Sequence, residues 1–403
     1  MTSNFPRWEG DSTTPFVLHL AQDLQSEGWR VDVLAPGAEG AAGRETLGGV
    51  LVERFPYLWP ASAQTVCYGG GALINIREHR LNQVKVPALV ASEIVATVRR
   101  LRARRYDLVH SHWILPQGFT GALASRLLRR THVLTVHGGD VFALRGRALQ
   151  PFKRYALERA DAVTSNAHIT ANAVRRIAPK VRDLRVIPMG VDVDVKPVAD
   201  RVDALRQKHR RGQGPLVLFV GRLVEEKGVA DLIRAIAKVK DQLPDVTAAI
   251  VGDGQHRTRF ARLAVEAKVA DRVSFTGWVP REDVTNYLGA ADILAAPSRR
   301  ALDGWVEAQG LSIIEGMTAG LPVVATTTGG IPDVVTDRRT GLLVPEQDPM
   351  AFAEAIEQLW SDRALAAVLG EEARNDAAKR FSRKASAQRF SSLFDDLLGG
   401  RRR

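Results

Sequence analysis

The stretch PLVLFVGRLVEEKG, residues 215–228, carries five consecutive apolar residues, Leu216 to Val220, into Gly221 and then turns polar. A short apolar run that stops at a glycine reads as a strand buried on both faces and ending in a tight turn, the form strands take in parallel sheets. VTAAIVGDG (246–254), RVSFTGWV (272–279), DILAAPS (292–298) and PVVATTTGG (322–330) repeat the scheme, with helix-length segments between them. The first half does the same with WRVDVLAP (29–36), YDLVHSHW (106–113), THVLTVHGG (131–139), DAVTSNA (161–167) and LRVIPMG (184–190). FVLHLAQDLQSEG (16–28) and FTGALASRLLRR (119–130) show helical spacing of apolar positions. The expected fold class is therefore α/β, with two doubly wound, Rossmann-like domains and a ligand cleft between them at the C-terminal ends of the strands.

Pro and Gly bracket the segment from PMGVDVDVKPV (188–198) to GQGP (212–215), which marks the domain boundary. The predicted organisation is a first domain over 1–190, a linker over 191–213, a second domain over 214–378, and a C-terminal helix with a basic tail over 379–403. Residues 40–90 have no clear period and read as a long, substrate-facing excursion. Only four residues precede the loop at Phe5 to Asp11, so the first strand is expected to be missing or short, with the start codon set too far downstream.

The 403 residues suffice for two cores. No apolar run reaches the roughly 18–20 residues of a membrane span, and the N-terminus lacks the pattern of a secretory signal. A single cysteine, Cys67, fits a reducing compartment, so a cytoplasmic location is expected. The net charge of +11 is uneven: residues 1–190 carry 25 Lys+Arg against 15 Asp+Glu, while the remainder carries 31 against 30. Arginines cluster at 99–105, 126–130 and 175–176. Such patches attract polyanions, which makes contact with an anionic membrane face an expectation. Nucleic-acid binding is the weaker reading, because the clusters lack interleaved aromatics and no helix-turn-helix or RNA-binding signature appears.

Four motifs carry chemistry. In DGWVEAQGLSIIEGMTAGLPVV (303–324), Glu307 and Glu315 flank Gly310 at the start of a helix. Ser312-Ile-Ile-Glu315 also has the pattern of a capping box, a purely structural explanation for both residues. In FVGRLVEEKG (219–228), Arg222 and Lys227 follow a buried strand, where two cations could neutralise a diphosphate. TVHGGDVF (135–142) runs a strand into His137, Gly138, Gly139 and Asp140. NFPRWEGD (4–11) is a turn whose Gly10 could admit a phosphate near a helix N-terminus. His110 and His112 share one strand face and could begin a metal site, though no clustered Cys or His accompanies them. Asp192-Val193-Asp194 lies in the boundary segment and reads as linker. No GxGxxG follows an early strand, which argues against a dinucleotide oxidoreductase.

Together these motifs resemble the retaining glycosyltransferases of family 4, of the glycogen-synthase-like, two-domain GT-B type. The resemblance spans nearly the whole chain. It implies metal-independent transfer of a hexose from a nucleotide-diphosphate sugar, with no further cofactor, to a polysaccharide, lipid-linked or small-molecule acceptor. By the same resemblance Glu315 binds the nucleotide ribose, and Glu307 binds hydroxyls of the transferred sugar. The amides near Gly310, Leu311 and Ser312 hold sugar and phosphate, Arg222 and Lys227 grip the diphosphate, and the backbone at Trp278 and Val279 meets the base. Gly10 adjoins the phosphate and His137 touches the sugar near its anomeric centre. The chain departs from the family at Trp8-Glu9-Gly10, where paired glycines are common, and at Ala308-Gln309, where Gly-Phe is frequent. An epimerase or a phosphorylase on the same fold is the alternative that the motifs leave open.

Overall fold

The computed structural model describes residues 1–399 other than 12, 69–70, 73–74, 77–78, 143–145 and 303. The end of the basic tail, 400–403, lies outside the described residues. The chain divides into two compact units, Met1–Gly190 together with the C-terminal helix, and Val191–Ser382.

The first unit holds β1 (Asp32–Pro36), β2 (Arg44–Leu47), β3 (Val50–Phe55), β4 (Leu108–His112), β5 (Thr131–Val136), β6 (Ala162–Ser165) and β7 (Leu184–Val186). Its main helices are α1 (Pro15–Ser26), α2 (Arg80–Ala103), α3 (Phe119–Leu128), α4 (Gln150–Arg159) and α5 (His168–Ile177). The strands form two sets, β1-β3-β2 and β4-β5-β6-β7, parallel throughout except for the β2–β3 hairpin. Residues 1–2 bridge the two sets: the Met1 ammonium donates to His110 O (2.7 Å), His112 N to Met1 O (3.0 Å), and Thr2 N to Leu34 O (3.1 Å). The hairpin falls inside residues 40–90, where the sequence shows no period; its two short strands turn on Gly48-Gly49.

In the second unit β8 (Leu216–Val220), β9 (Thr247–Val251), β10 (Val273–Gly277), β11 (Ile293–Ala296), β12 (Val323–Thr326) and β13 (Leu342–Val344) form one parallel sheet in the order β10-β9-β8-β11-β12-β13. Around it stand α6 (Ala199–His209), α7 (Val229–Val239), α8 (Arg257–Glu266), α9 (Arg281–Ala290), α10 (Leu311–Thr318), α11 (Pro349–Ser361) and α12 (Arg363–Phe381). Both sheet faces are apolar, as the unbroken runs require. Val217, Phe219 and Ile250 pack with Ile233, Ile236 and Ile356, while Leu218, Val251 and Leu294 pack with Ile314, Met317 and Phe381. Much of the stretch expected as linker is α6, which packs on α9 within this unit. At the other end α13 (Arg383–Leu398) returns to the first unit and lies on α1, tied by the Arg383–Asp23 ion pair (2.6 Å) and by Trp29 Nε1 donating to Ser391 Oγ (2.9 Å).

Candidate active site

In the second sheet the strand order reverses between β8 and β11, the switch point where open α/β sheets bind ligands beyond their C-terminal strand ends. The Arg222–Lys227 motif and Glu307 sit there. Arg222 and Lys227 follow β8, and Glu307 lies in the segment between β11 and α10. Lys227 Nζ and a Glu307 carboxylate oxygen form an ion pair with both side chains largely buried, and the other carboxylate oxygen accepts from Gly310 N (3.2 Å). Burial alone would raise the Glu307 pKa. The adjacent Lys227 charge and hydrogen bond, with the amides of Gly310 and Ala308, reverse this and hold it below the ordinary carboxylate value. Lys227, Glu307, Ser298 and Ser312 line one small cavity.

Each of these groups is held from the backbone. Gly330 N donates to Glu307 O (2.9 Å). The turn carrying Lys227 passes so close to the chain after β11 that a Cβ on Gly228 would lie 1.7 Å from Pro297 O, so only glycine fits. Arg299 pins the same turn: its N donates to Glu226 O (2.9 Å) and its guanidinium pairs with Glu225 (2.9 Å). Arg222 is half-exposed and only loosely paired with Glu226, at 3.8 Å, so its guanidinium remains available to a ligand.

The capping box does not form. Gly310, at φ 75° and ψ 63°, is the N-cap of α10, and no side chain caps the helix. Leu311 and Ser312 occupy its first turn, where helical N–H groups have no intrahelical acceptor. Glu315 instead reaches Arg281 (2.9 Å), at the start of α9. Burial raises the Glu315 pKa; Arg281 opposes the rise and Asp192 adds to it. Asp192, read as linker, thus acts electrostatically on Glu315. Val279 lies between β10 and α9, two residues before Arg281, and packs on the core face that holds Ile314 and Met317.

In the first unit His137 follows β5. Its Nε2 is hydrogen-bonded to His112 Nδ1 (3.0 Å), the two rings stack at 5.2 Å and 15°, and Trp113 and Phe16 pack against it. Burial pushes its pKa down to about 3, so His137 acts as a neutral imidazole and not as a cation. Buried Asp140 fixes the loop by accepting from Gly138 N (3.1 Å) and Ile114 N (2.8 Å). The His110 ring lies 4.4 Å from that of His112 and its Nε2 meets Thr135 Oγ1 at 2.6 Å, and among the described residues no group of three or more His, Cys, Asp or Glu is placed to hold a metal ion. Gly10 stands exposed at φ 83° in a turn organised by Asp11, which accepts from Arg7 N, Arg7 Nε and Thr13 N.

Residues 14–195 match the model described as Glycosyltransferase Family 4, and residues 201–376 the model described as Glycosyl transferases group 1. A GDP-mannose-dependent alpha-(1-6)-phosphatidylinositol monomannoside mannosyltransferase from Mycolicibacterium smegmatis is 33% identical over 71% of this chain and 75% of its own. The chain belongs to the family 4 glycosyltransferases. A D-inositol 3-phosphate glycosyltransferase from Corynebacterium jeikeium is 30% identical over 95% of this chain and 91% of its own. The solved sucrose-phosphate synthase from Thermosynechococcus elongatus superposes with a TM-score of 0.75 at 26% identity, covering 95% of this chain and 93% of that one. The fold is accordingly of the GT-B type, with two Rossmann-like units, and the chain is an enzyme that transfers a glycosyl group from a nucleotide sugar. The epimerase and phosphorylase alternative finds no support.

Proposed function

We propose that the enzyme transfers a hexose, with retention of anomeric configuration, from a nucleoside diphosphate sugar to a hydroxyl of a lipid-linked or small-molecule acceptor. The observation that carries this reading is the buried Lys227–Glu307 pair at the switch point of the second sheet, beside the open first turn of α10. The diphosphate draws on Lys227, on Arg222 and on the amides of Leu311 and Ser312. Glu307 then meets sugar hydroxyls, Glu315 the ribose, and the backbone near Val279 the base. As the bond between the anomeric carbon and the diphosphate oxygen breaks, negative charge grows on the leaving group, where fixed cations and amides stabilise it. The acceptor oxygen bonds to the anomeric carbon on the same face and its proton passes to the leaving diphosphate. In the first unit, Gly10 serves the phosphate side and neutral His137 donates to or accepts from the sugar.

Both relatives named above act, by their names, on inositol-based acceptors, one of them a lipid. The basic excess of residues 1–190 supports a peripheral approach to an anionic membrane, and among the described residues no helix is long and apolar enough to cross one. A thermal-shift panel of UDP-, GDP- and ADP-sugars, starting from GDP-mannose, tests the donor. Product analysis by NMR with the stabilising donor then tests retention. Stabilisation by none of them, or an isomerised donor as the product, overturns the reading. Sedimentation with anionic vesicles at low salt tests the membrane contact, and its absence removes that part.

A further inference from the structure

Within the first unit the His137 ring is held by three neighbours. It packs on Phe16 (5.2 Å between ring centres) and on Trp113 (4.8 Å), and its Nε2 meets Nδ1 of His112, the last residue of β4, at 3.0 Å. Trp113 takes a φ of 70° here, a strained conformation for a bulky residue and one retained where the surroundings over-determine it. The His112 and His137 planes lie within 15° of parallel, with centres 5.2 Å apart. The 3.0 Å contact plus the reach of each nitrogen from its ring centre accounts for that separation. The rings are therefore slid edge to edge, and the hydrogen bond runs close to both ring planes, along the lone-pair direction.

An N–H···N bond between two imidazoles needs one ring to donate and the other to accept. Burial lowers the pKa of both histidines, to about 3 for His137, so both rings are neutral and each has one N–H and one lone pair. The far side of His112 decides which ring donates. His112 is 5% exposed, and among the described residues no group bonds its Nε2. A proton there would be a buried donor without an acceptor, an arrangement proteins avoid more strictly than an idle lone pair; on Nδ1 it has His137 Nε2 to bond. His137 then carries its own proton on Nδ1. That nitrogen has no partner among the described residues, and the ring is partly exposed, so its N–H is open to a ligand oxygen.

We propose that His112 is a positioning residue for the transfer reaction: by donating from Nδ1 to His137 Nε2 it holds His137 as the Nδ1–H tautomer, which donates to an oxygen of the transferred sugar. The assignment rests on the reading of His137 as a sugar contact. It adds which nitrogen makes that contact, in which protonation state, and what fixes the state. His112 acts through His137 alone. Without it the His137 proton is free to move to Nε2, and the nitrogen that faces the sugar turns from donor to acceptor.

The test uses the full chain labelled at its histidine nitrogens, with His137 assigned by its absence from the spectrum of His137→Gln. Imidazole nitrogen shifts separate protonated from unprotonated positions, and both His112 and His137 are expected to carry their proton on Nδ1 at neutral pH. Two variants of similar size separate the hydrogen bond from packing. His112→Asn places an amide N–H near the position of the imidazole Nδ1 and should keep His137 in the Nδ1–H form, whereas His112→Leu cannot donate and should shift it toward Nε2–H. By calorimetry, His112→Leu should bind the tighter of GDP-mannose and UDP-glucose about fivefold to tenfold more weakly, the worth of one neutral hydrogen bond. Binding of the corresponding nucleoside diphosphate should not change, and His112→Asn should recover most of the loss. His137 protonated on Nε2 in the wild type, the same tautomer in His112→Leu as in the wild type, or equal losses in the two variants overturns the proposal. A His137 Nδ1–H signal that neither sugar nucleotide moves removes the sugar contact instead, and the role of His112 with it, while the measured pairing stands.

Discussion

Replacing Lys227 with methionine leaves Glu307 buried with a single charge fewer beside it, and the consequences follow from the geometry. Only the amides of Gly310 and Ala308 then face the carboxylate, so burial dominates and its pKa rises above the ordinary value. In the wild type the folded pKa is depressed. The stability that Glu307 contributes is present above the ordinary value near 4.5 and is lost as pH falls through the depressed one. In Lys227→Met the sign reverses: stability falls as pH climbs from about 4.5 through the raised value, by about 1.4 kcal/mol per pH unit. The gap between the two proteins should widen from pH 4.5 to 7.5 and reach about 3–5 kcal/mol, the cost of breaking a buried ion pair by removing one partner. Urea unfolding at both pH values, read by hydrogen exchange on peptides of β8 and β11, measures the gap. Adding Glu307→Gln should recover most of the stability without restoring turnover, because the cation proposed to meet the diphosphate stays absent. A gap of the same size at both pH values, or no recovery in the double variant, would refute the reasoning.

Further outcomes are expected. Arg222→Ala, on a half-exposed side chain, should leave stability nearly unchanged while lowering turnover more than tenfold; wild-type turnover with a saturating donor removes Arg222 from the diphosphate. Gly228→Ala forces a Cβ toward Pro297 O at φ 67° and should displace Lys227, raising KM for the donor and costing about 1–3 kcal/mol of stability by urea unfolding. Burial lowers the pKa of His110, His112, His132 and His137 below the unfolded value near 6.5. Their stability is therefore fully present above pH 6.5 and is lost on acidification, by roughly 1.4 kcal/mol per pH unit for each; a thermal midpoint of the first unit that is flat from pH 7.5 to 5 contradicts this. Arg281→Ala removes the charge that opposes the rise at Glu315, so the loss of donor affinity on acidification should move to higher pH; an unmoved KM–pH profile separates Glu315 from the ribose.

The parts legible in the sequence were those that a local pattern determines. Unbroken apolar runs such as Leu216–Val220 announce strands buried on both faces, and the sheet buries them so. β13 offers only Leu342–Val344, too short to show a period, and β2 and β3 hide behind Gly48-Gly49. Ser312 and Glu315 show how a local pattern misleads. Their spacing satisfies the capping box, yet Gly310 reaches the left-handed conformation that caps α10 without a side chain, and Glu315 is left to a partner 34 residues away. The same limit governs the site. Lys227 and Glu307 meet across 80 residues only because β8 and β11 are neighbours where the strand order reverses, and strand order is a long-range property that no window of sequence contains. The two motifs are separately weak, since a surface Arg and Lys five apart or two glutamates flanking a glycine occur without function. Their junction at the one position where a doubly wound sheet opens is what gives them a shared chemistry, and a charge reversal of the pair tests that junction. Lys227→Glu combined with Glu307→Lys would restore the ion pair and its stability while presenting the cation from the wrong strand. Turnover should therefore stay low, and full recovery of activity would mean that the pair serves the fold alone.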